Sequence, residues 1–99
     1  FMYSADLADA VFNAAKNMEI LPNKINIGIG NDYTINEYYE TIAEVLGWNG
    51  VFTHDLSKPV GMMRKLCDTS LQSNWGWKPK TSLKIGLMKT YQYYLETLK

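Results

Sequence analysis

Three cationic side chains lie close together in a stretch of the chain that has the composition of a loop. Lys58, Arg64 and Lys65 belong to the sequence SKPVGMMRKLCD at residues 57–68, where a proline and a glycine favour an irregular backbone. A guanidinium can bind two phosphate oxygens at once, whereas an ammonium acts as a point charge. We call residues 57–68 the cation loop and interpret it either as an anion-binding loop or as a loop whose charges are only solvated.

The positions of Arg64 and Lys65 restrict how the two cations share one ligand, because adjacent residues of an extended segment direct their side chains to opposite faces. We therefore expect only one of the pair to point into a given cleft, while the other follows its rim. Lys58, at the other end of the loop, is placed to close the far side of such a site.

The other reactive side chains are isolated along the chain. His54 is the only histidine and Cys67 the only cysteine, and neither lies in a pattern of metal-ligand spacing. A single cysteine cannot form an internal disulfide, so nothing in the sequence requires an oxidising compartment. We predict that His54 is a core or edge residue of a strand and that Cys67 is a small buried apolar side chain.

The glycines and tyrosines do not complete the motifs of a dinucleotide-dependent oxidoreductase. A dinucleotide fingerprint that begins at Gly28 and Gly30 would need a third glycine where Tyr33 stands. Short-chain oxidoreductases place a lysine four residues after the catalytic tyrosine, and none of the seven tyrosines here has one. The sequence therefore predicts that the chain itself holds no cofactor site and no catalytic acid–base pair of this kind.

Length and charge exclude several classes of function. The chain has 99 residues, enough for one domain, and carries ten basic and ten acidic side chains. A net charge of zero argues against general binding to nucleic acid or to acidic membranes, which requires an excess of lysine and arginine. No apolar run reaches the roughly 20 residues of a membrane span, and no signal-peptide pattern opens the chain. We expect a cytoplasmic location.

Four segments have the apolar periodicity of helices. The clearest begins with a capping box formed by Thr34 and Glu37, continues with a hydrophobic staple between Tyr33 and Tyr38, and stops at Gly47. The expected helices run from an N-cap at Ser4 to a point before Pro22, over residues 34–46, over residues 69–74, and onward from about Leu83.

Two further segments have the pattern of strands. Ile25, Ile27 and Ile29 alternate with small residues, and GVFTHD at residues 50–55 is the second candidate. The predicted fold class is therefore α/β, mostly helical with two or three short strands. Two strands do not make a well-covered parallel sheet, and the chain opens without a polar lead-in at Phe1. We therefore expect a piece of a longer protein.

The order and spacing of several stretches resemble a known family. NIGIGNDYTINEYYETIAEVLGW, SKPVGMMRKLCD and LQSNWGWKPKTSLKIGLMKTYQYYLE are similar to the C-terminal part of the GDP-L-fucose synthases. The opening FMYSADLADA resembles the family's Phe-Leu-x-Val-x-Asp-x-Ala segment, so that the resemblance covers the whole chain. These enzymes are epimerase-reductases among the extended short-chain dehydrogenases/reductases that act on nucleotide-sugars.

The resemblance implies a parent protein about three times longer that converts GDP-4-keto-6-deoxy-mannose to GDP-L-fucose. Its N-terminal Rossmann domain would bind NADP and carry the catalytic groups, including a cysteine and a histidine that are not Cys67 and His54. Residues 1–99 would be the substrate-binding domain, inactive alone, in a protein expected to form a homodimer. The expected partners are a nucleotide-diphosphate sugar and the Rossmann domain.

The resemblance also assigns residues to the substrate site. Arg64 and Lys65 align with an Arg-Lys pair that helps to hold the GDP moiety, with Lys58 nearby. Val60 stands where the family commonly has a substrate-contacting aspartate, and Met62-Met63 replaces a Thr-Pro. These differences leave two alternatives open: a related enzyme acting on another GDP- or UDP-sugar, such as a heptose, or an interaction module without an enzymatic role.

Overall fold

The computed structural model describes residues 1–99 and contains four helices and no β-strand. The helices take up nearly half of the chain, and the rest forms turns and irregular backbone. In chain order they are α1 (Ser4–Lys16), α2 (Ile35–Leu46), α3 (Ser70–Trp75) and α4 (Leu83–Thr97). The prediction of an α/β domain with two or three short strands is therefore wrong, although all four predicted helices are present.

Helix α1 has a different N-cap from the one predicted, and it ends before Pro22 as predicted. Its N-cap is Tyr3, without a side-chain hydrogen bond, so the prediction that Ser4 is the cap is wrong. The helix stops well before Pro22 because Asn17 changes the pattern of hydrogen bonds. The side-chain amide of Asn17 donates to the carbonyl of Asn13 at 2.7 Å, and its backbone N–H donates to Ala14. The Asn17 side chain thereby binds the Asn13 carbonyl, which would otherwise accept the backbone N–H of Asn17 in the next turn of the helix.

Helix α2 forms as predicted because its terminal signals are local. The backbone N–H of Glu37 donates to the Thr34 hydroxyl at 3.1 Å, and the carboxylate of Glu37 accepts from the Thr34 N–H at 2.6 Å. The rings of Tyr33 and Tyr38 meet edge to face with centroids 5.5 Å apart. Gly47 ends the helix at φ 67°, a left-handed conformation that glycine adopts without steric cost.

Helices α3 and α4 are also delimited by short polar residues. The Asp68 carboxylate accepts the backbone N–H and the hydroxyl of Ser70, at 2.9 and 2.6 Å, which lowers the pKa of Asp68. The hydroxyl of Ser82 accepts the Ile85 N–H at 3.3 Å and so caps α4. Each of the two helices therefore begins at a residue whose side chain is hydrogen-bonded nearby.

The segment around Ile25–Ile29 is extended but has no strand beside it. The side-chain amide of Gln72 on α3 takes the place of a neighbouring strand. Its Oε1 accepts the N–H of Gly28 at 2.9 Å, and its Nε2 donates to the carbonyl of Gly28 at 3.0 Å. The second predicted strand, residues 50–55, is likewise irregular.

The chain is a flat slab with very little core of its own. Its extents are 51 × 38 × 18 Å and its radius of gyration is 16.8 Å, whereas a domain of this length is expected near about 13 Å. Only four residues are buried, and Ala10 is the one buried hydrophobic side chain among them apart from a glycine. The packed helix pair is α2 with α4. None of the helices is both long and apolar enough to cross a membrane.

Candidate functional site

The cation loop runs over the surface with few contacts. Between residues 59 and 66 no backbone group makes a hydrogen bond. The apolar side chains at its tip are open to solvent, with Val60 93% and Met63 99% exposed. The loop is therefore held mainly by its two ends and by any side-chain contact between them.

That side-chain contact is an ion pair between Arg64 and Asp32. The Nε and Nη2 groups of Arg64 donate to the two carboxylate oxygens of Asp32 at 2.8 and 2.9 Å. The hydrogen bond from Arg64 lowers the pKa of Asp32, and Asp32 in turn raises the pKa of Arg64. Because a guanidinium has five N–H groups, Arg64 keeps three that do not bind Asp32.

The two lysines of the cation loop make no ion pair. Lys58 and Lys65 are exposed, and neither ammonium lies within 4.0 Å of a carboxylate. The nearby Asp55 is instead hydrogen-bonded to the backbone and hydroxyl of Ser57, which lowers the pKa of Asp55. The positive charges of Lys58 and Lys65 are therefore not neutralised by a direct partner within the chain.

A cleft with a volume of about 450 Å³ lies elsewhere on the chain. It opens between the N-terminal segment, the residues that follow the extended Ile25–Ile29 segment, and the start of α4. None of the four residues predicted to bind substrate, Lys58, Val60, Arg64 and Lys65, lines it. Its lining residues with polar side chains are Tyr3, Asn31, Tyr33, Lys80, Thr81, Ser82 and Thr90.

The cation loop nevertheless lies next to one wall of this cleft. Asn31 and Tyr33 line the cleft, and Asp32 between them holds Arg64. The sequence analysis missed this cleft because its polar residues come from segments far apart in the chain. The sequence KPKTS, a lysine- and hydroxyl-rich turn directly before a helix, was the one local pattern that could have indicated it.

Two aspartates of α1 hold the turn that forms the rim of the cleft. Asp6, only 7% exposed, accepts the backbone N–H of Thr81 at 2.9 Å and its hydroxyl at 3.0 Å. Asp9 accepts the indole N–H of Trp77 at 2.9 Å and lies 4.0 Å from the ammonium of Lys80. These contacts fix the backbone at which α4 begins.

The face of Gly28 is already filled by the chain itself. A Cβ atom built on Gly28 would lie 2.6 Å from the sulfur of Cys67 and 3.3 Å from a methyl group of Thr69. With Gln72 bonded to the same backbone, no space remains there for a pyrophosphate, so these residues do not fit a dinucleotide. Cys67 is exposed, and the prediction that it is buried is therefore wrong.

His54 is exposed and lies in irregular backbone, so the prediction of a core or strand-edge histidine is wrong. Its Nε2 is 2.8 Å from the side-chain oxygen of Asn36, an arrangement in which the imidazole donates. No group of three or more histidine, cysteine, aspartate or glutamate side chains is arranged to hold a metal ion.

Sequence comparison finds relatives over almost the whole chain. It is 53% identical over 95 residues to the GDP-L-colitose synthase of Yersinia pseudotuberculosis, which is 96% of this chain and 31% of the relative. It is 42% identical over 95 residues to the GDP-L-fucose synthase of Azorhizobium caulinodans, covering 96% of this chain and 30% of that protein. A probable GDP-L-fucose synthase 1 of rice, Oryza sativa subsp. japonica, is 43% identical over 98 residues, covering 99% of this chain and 30% of the relative.

These relatives define a class, the synthases of GDP-linked sugars. More narrowly, the chain is homologous to a segment of the GDP-L-fucose and GDP-L-colitose synthases, which confirms the resemblance found in the sequence. The chain spans about a third of the length of the curated relatives it matches. No protein-family model and no solved structure matches it.

Proposed function

We propose that this chain is the nucleotide-sugar-binding part of an NADP-dependent epimerase-reductase that converts GDP-4-keto-6-deoxy-mannose to GDP-L-fucose. It corresponds in this proposal to the C-terminal part of a longer protein, called the parent below. The N-terminal Rossmann domain of the parent binds NADP and carries the catalytic groups. This chain contributes binding energy from the diphosphate, which does not react but orients the sugar at the reacting centre.

The observation that carries the proposal is the similarity to three synthases of GDP-sugars over nearly the full length of the chain. Such a match does not depend on any single motif. The scarcity of buried residues also supports a larger body, because a chain with only four buried residues leaves most of its apolar side chains without cover.

The charges of the cation loop support a diphosphate ligand. Lys58 and Lys65 have no carboxylate partner, and Arg64 keeps N–H donors beyond those that bind Asp32. A diphosphate that reached the loop would therefore meet two free ammonium groups and part of a guanidinium. Charge-assisted hydrogen bonds of this kind are about twice as strong as neutral ones.

Replacement of Lys65 tests the proposed role of the loop. In the parent, we expect Lys65→Ala to cost about 1.5–3 kcal/mol of substrate binding, the range for a hydrogen bond to a charged group. Steady-state kinetics should show the loss as a lower kcat/KM, because the diphosphate both binds and orients the substrate. Lys78→Ala removes another exposed lysine without an ion pair and should leave kcat/KM unchanged. Unchanged kinetics of Lys65→Ala at all substrate concentrations would remove this residue from the site.

A related substrate is the second candidate, and specific residues favour it. Val60, Met62 and Met63 stand in the cation loop where the GDP-L-fucose synthases commonly have aspartate and Thr-Pro, and all three are largely exposed. They offer no hydrogen bond to a sugar hydroxyl. The relative with 53% identity is named for a different sugar, GDP-L-colitose. Kinetics of the parent with a panel of GDP-, UDP- and heptose-linked nucleotide-sugars separates the two candidates by kcat/KM.

The chain alone should show no turnover, since the proposal places every catalytic group in the rest of the parent. Incubation of purified residues 1–99 with NADPH and the 4-keto sugar should leave the absorbance of NADPH constant. Reductase activity would contradict this division of labour. Mass measurement of the parent in solution tests the expected homodimer.

A further inference from the structure

Residues 59–66 of the cation loop have one polar attachment to the rest of the chain. Residues 59–66 make no backbone hydrogen bond, and the side-chain bonds from this stretch go from Arg64 to Asp32. The pair joins positions 32 residues apart in the sequence. Without it, residues 59–66 would make no hydrogen bond or ion pair with the remainder of the chain.

Asp32 lies between two residues that line the cleft, so its ion pair with Arg64 places that side chain near the cleft. It lies two residues after Gly30, where φ is 82°, and two residues before the Thr34 cap that begins α2. Its two neighbours, Asn31 and Tyr33, line the cleft. Asp32 therefore belongs to a segment whose two ends have a defined backbone conformation. Because Arg64 is hydrogen-bonded to Asp32, its guanidinium is held beside the wall of the cleft.

The geometry of the pair leaves Arg64 able to bind a second anion. The side chain of Arg64 is 67% exposed, whereas that of Asp32 is 35% exposed. Asp32 binds Nε and Nη2, so both N–H groups of Nη1 and one of Nη2 are free. A guanidinium held along one edge by a carboxylate loses less side-chain freedom when a ligand binds its other edge.

We propose that Asp32 is a positioning residue for the nucleotide-sugar site. Asp32 holds the guanidinium of Arg64 and thereby fixes the cation loop beside the cleft. The free N–H groups of Arg64 and the ammonium of Lys65 are then already oriented when the diphosphate binds. This inference rests on the proposed function, because it assumes that the loop binds a diphosphate. It assigns to Asp32 no contact with the ligand.

The test is a double-mutant cycle in the parent, with GDP as the probe and its Kd measured by calorimetry. We expect Asp32→Ala to raise the Kd about fivefold, the upper end of what an exposed ion pair contributes. In an Arg64→Ala background, the same substitution should have no further effect, because Asp32 acts through Arg64. The kcat/KM should fall by a similar factor, and Asp32→Glu should restore most of the affinity.

The matched control is Glu44→Gln, which breaks another exposed ion pair, with Lys84, between α2 and α4. It should leave the Kd for GDP unchanged. Tighter GDP binding by Asp32→Ala would overturn the inference, since Asp32 would then compete with the ligand for Arg64. An equal effect of Asp32→Ala in both backgrounds would also overturn it. If Arg64→Ala and Lys65→Ala both leave the Kd unchanged, the diphosphate role of the loop fails and the inference fails with it.

Discussion

The side chain of Gln72 satisfies both backbone groups of Gly28, accepting from its N–H at 2.9 Å and donating to its carbonyl at 3.0 Å. Gln72 is only 4% exposed, and the two residues are 44 positions apart. One amide side chain thus makes the two hydrogen bonds that an adjacent strand would make. It joins α3 to the Ile25–Ile29 segment, which makes no backbone–backbone hydrogen bond.

Replacement of Gln72 should loosen this junction. We expect Gln72→Leu in the parent to destabilise the fold by about 2 kcal/mol, because two hydrogen bonds to partly buried backbone groups are lost. The thermal midpoint measures the loss, and hydrogen exchange locates it. The amide of Gly28 should exchange about tenfold faster, while amides inside α4 keep their rates.

Gln72→Glu is the matched variant, because a carboxylate still accepts the Gly28 N–H but cannot donate to the carbonyl. Protection of the Gly28 amide should then persist although the overall stability falls. Equal exchange rates at Gly28 in Gln72→Leu and in the unmodified protein would contradict the assigned bond.

Asp6 should be the most sensitive single polar residue of α1. It is buried and accepts two hydrogen bonds from Thr81, so Asp6→Ala leaves a partly buried N–H and hydroxyl without this acceptor. We expect a loss of about 3 kcal/mol, since bonds to a charged acceptor are stronger than neutral ones. Urea denaturation of the parent, followed by tryptophan fluorescence, measures it.

Asp9 offers a comparison on the same helix. Its side chain is 39% exposed, and its bond to the Trp77 indole is partly open to water. Asp9→Ala should therefore cost only about 1 kcal/mol. If Asp9→Ala destabilised the protein as much as Asp6→Ala, burial would not determine how much each aspartate contributes to stability.

The helices could be predicted from the sequence because their signals are local. Thr34 and Glu37 are three residues apart, and Gly47 follows the last apolar turn, so that α2 is specified by its own residues. Alternation at Ile25, Ile27 and Ile29 is a different kind of signal. It reports that one face is apolar, but it does not say whether a strand lies alongside, and in this chain a glutamine side chain takes that place.

The candidate site was harder to predict, because its contacts also join residues that are far apart in the sequence. Composition and resemblance identified the cations at positions 58, 64 and 65, but the partner of Arg64 lies far away in the sequence, at Asp32. Two charges separated by that distance have no pattern that spacing can detect. Cys67 was predicted to be buried from its residue type, whereas its exposure follows from the open course of the cation loop.

The Arg64–Asp32 pair should persist at neutral pH and be lost only in acid. The hydrogen bond from Arg64 lowers the pKa of Asp32 in the folded chain, so the pair stabilises the fold above the ordinary aspartate pKa. That stabilisation disappears as the pH falls through the lowered value. Nearby Tyr38, whose pKa is raised by burial, stays neutral throughout this range.

Carbon-13 NMR of the Asp32 carboxyl group measures the pH at which Asp32 titrates. The titration midpoint should lie lower in the unmodified protein than in Arg64→Ala, and about 1 M salt should narrow the gap by screening the exposed pair. Identical midpoints in the two proteins would mean that the ion pair is not populated in solution.

The isolated chain should be only marginally stable. Its one buried aliphatic side chain is Ala10, while large apolar side chains such as Trp48, Phe52 and Leu95 remain between 41% and 47% exposed. Burial of apolar surface is the main favourable term in folding, so this arrangement supplies little of it. We expect a free energy of unfolding below about 5 kcal/mol, a broad thermal transition, and self-association through the open apolar faces.

The parent is the control. If the rest of the parent covers the open apolar faces, the same four helices should unfold cooperatively with it. A dye that fluoresces on apolar surface should bind the isolated chain strongly and the parent weakly. The groove formed by Tyr39, Leu46, Trp48 and Phe52 gives a local probe, since Trp48 emission should shift to shorter wavelength in the parent if the groove is covered. A monomeric isolated chain with a sharp unfolding transition would contradict the expectation that it depends on a covering partner.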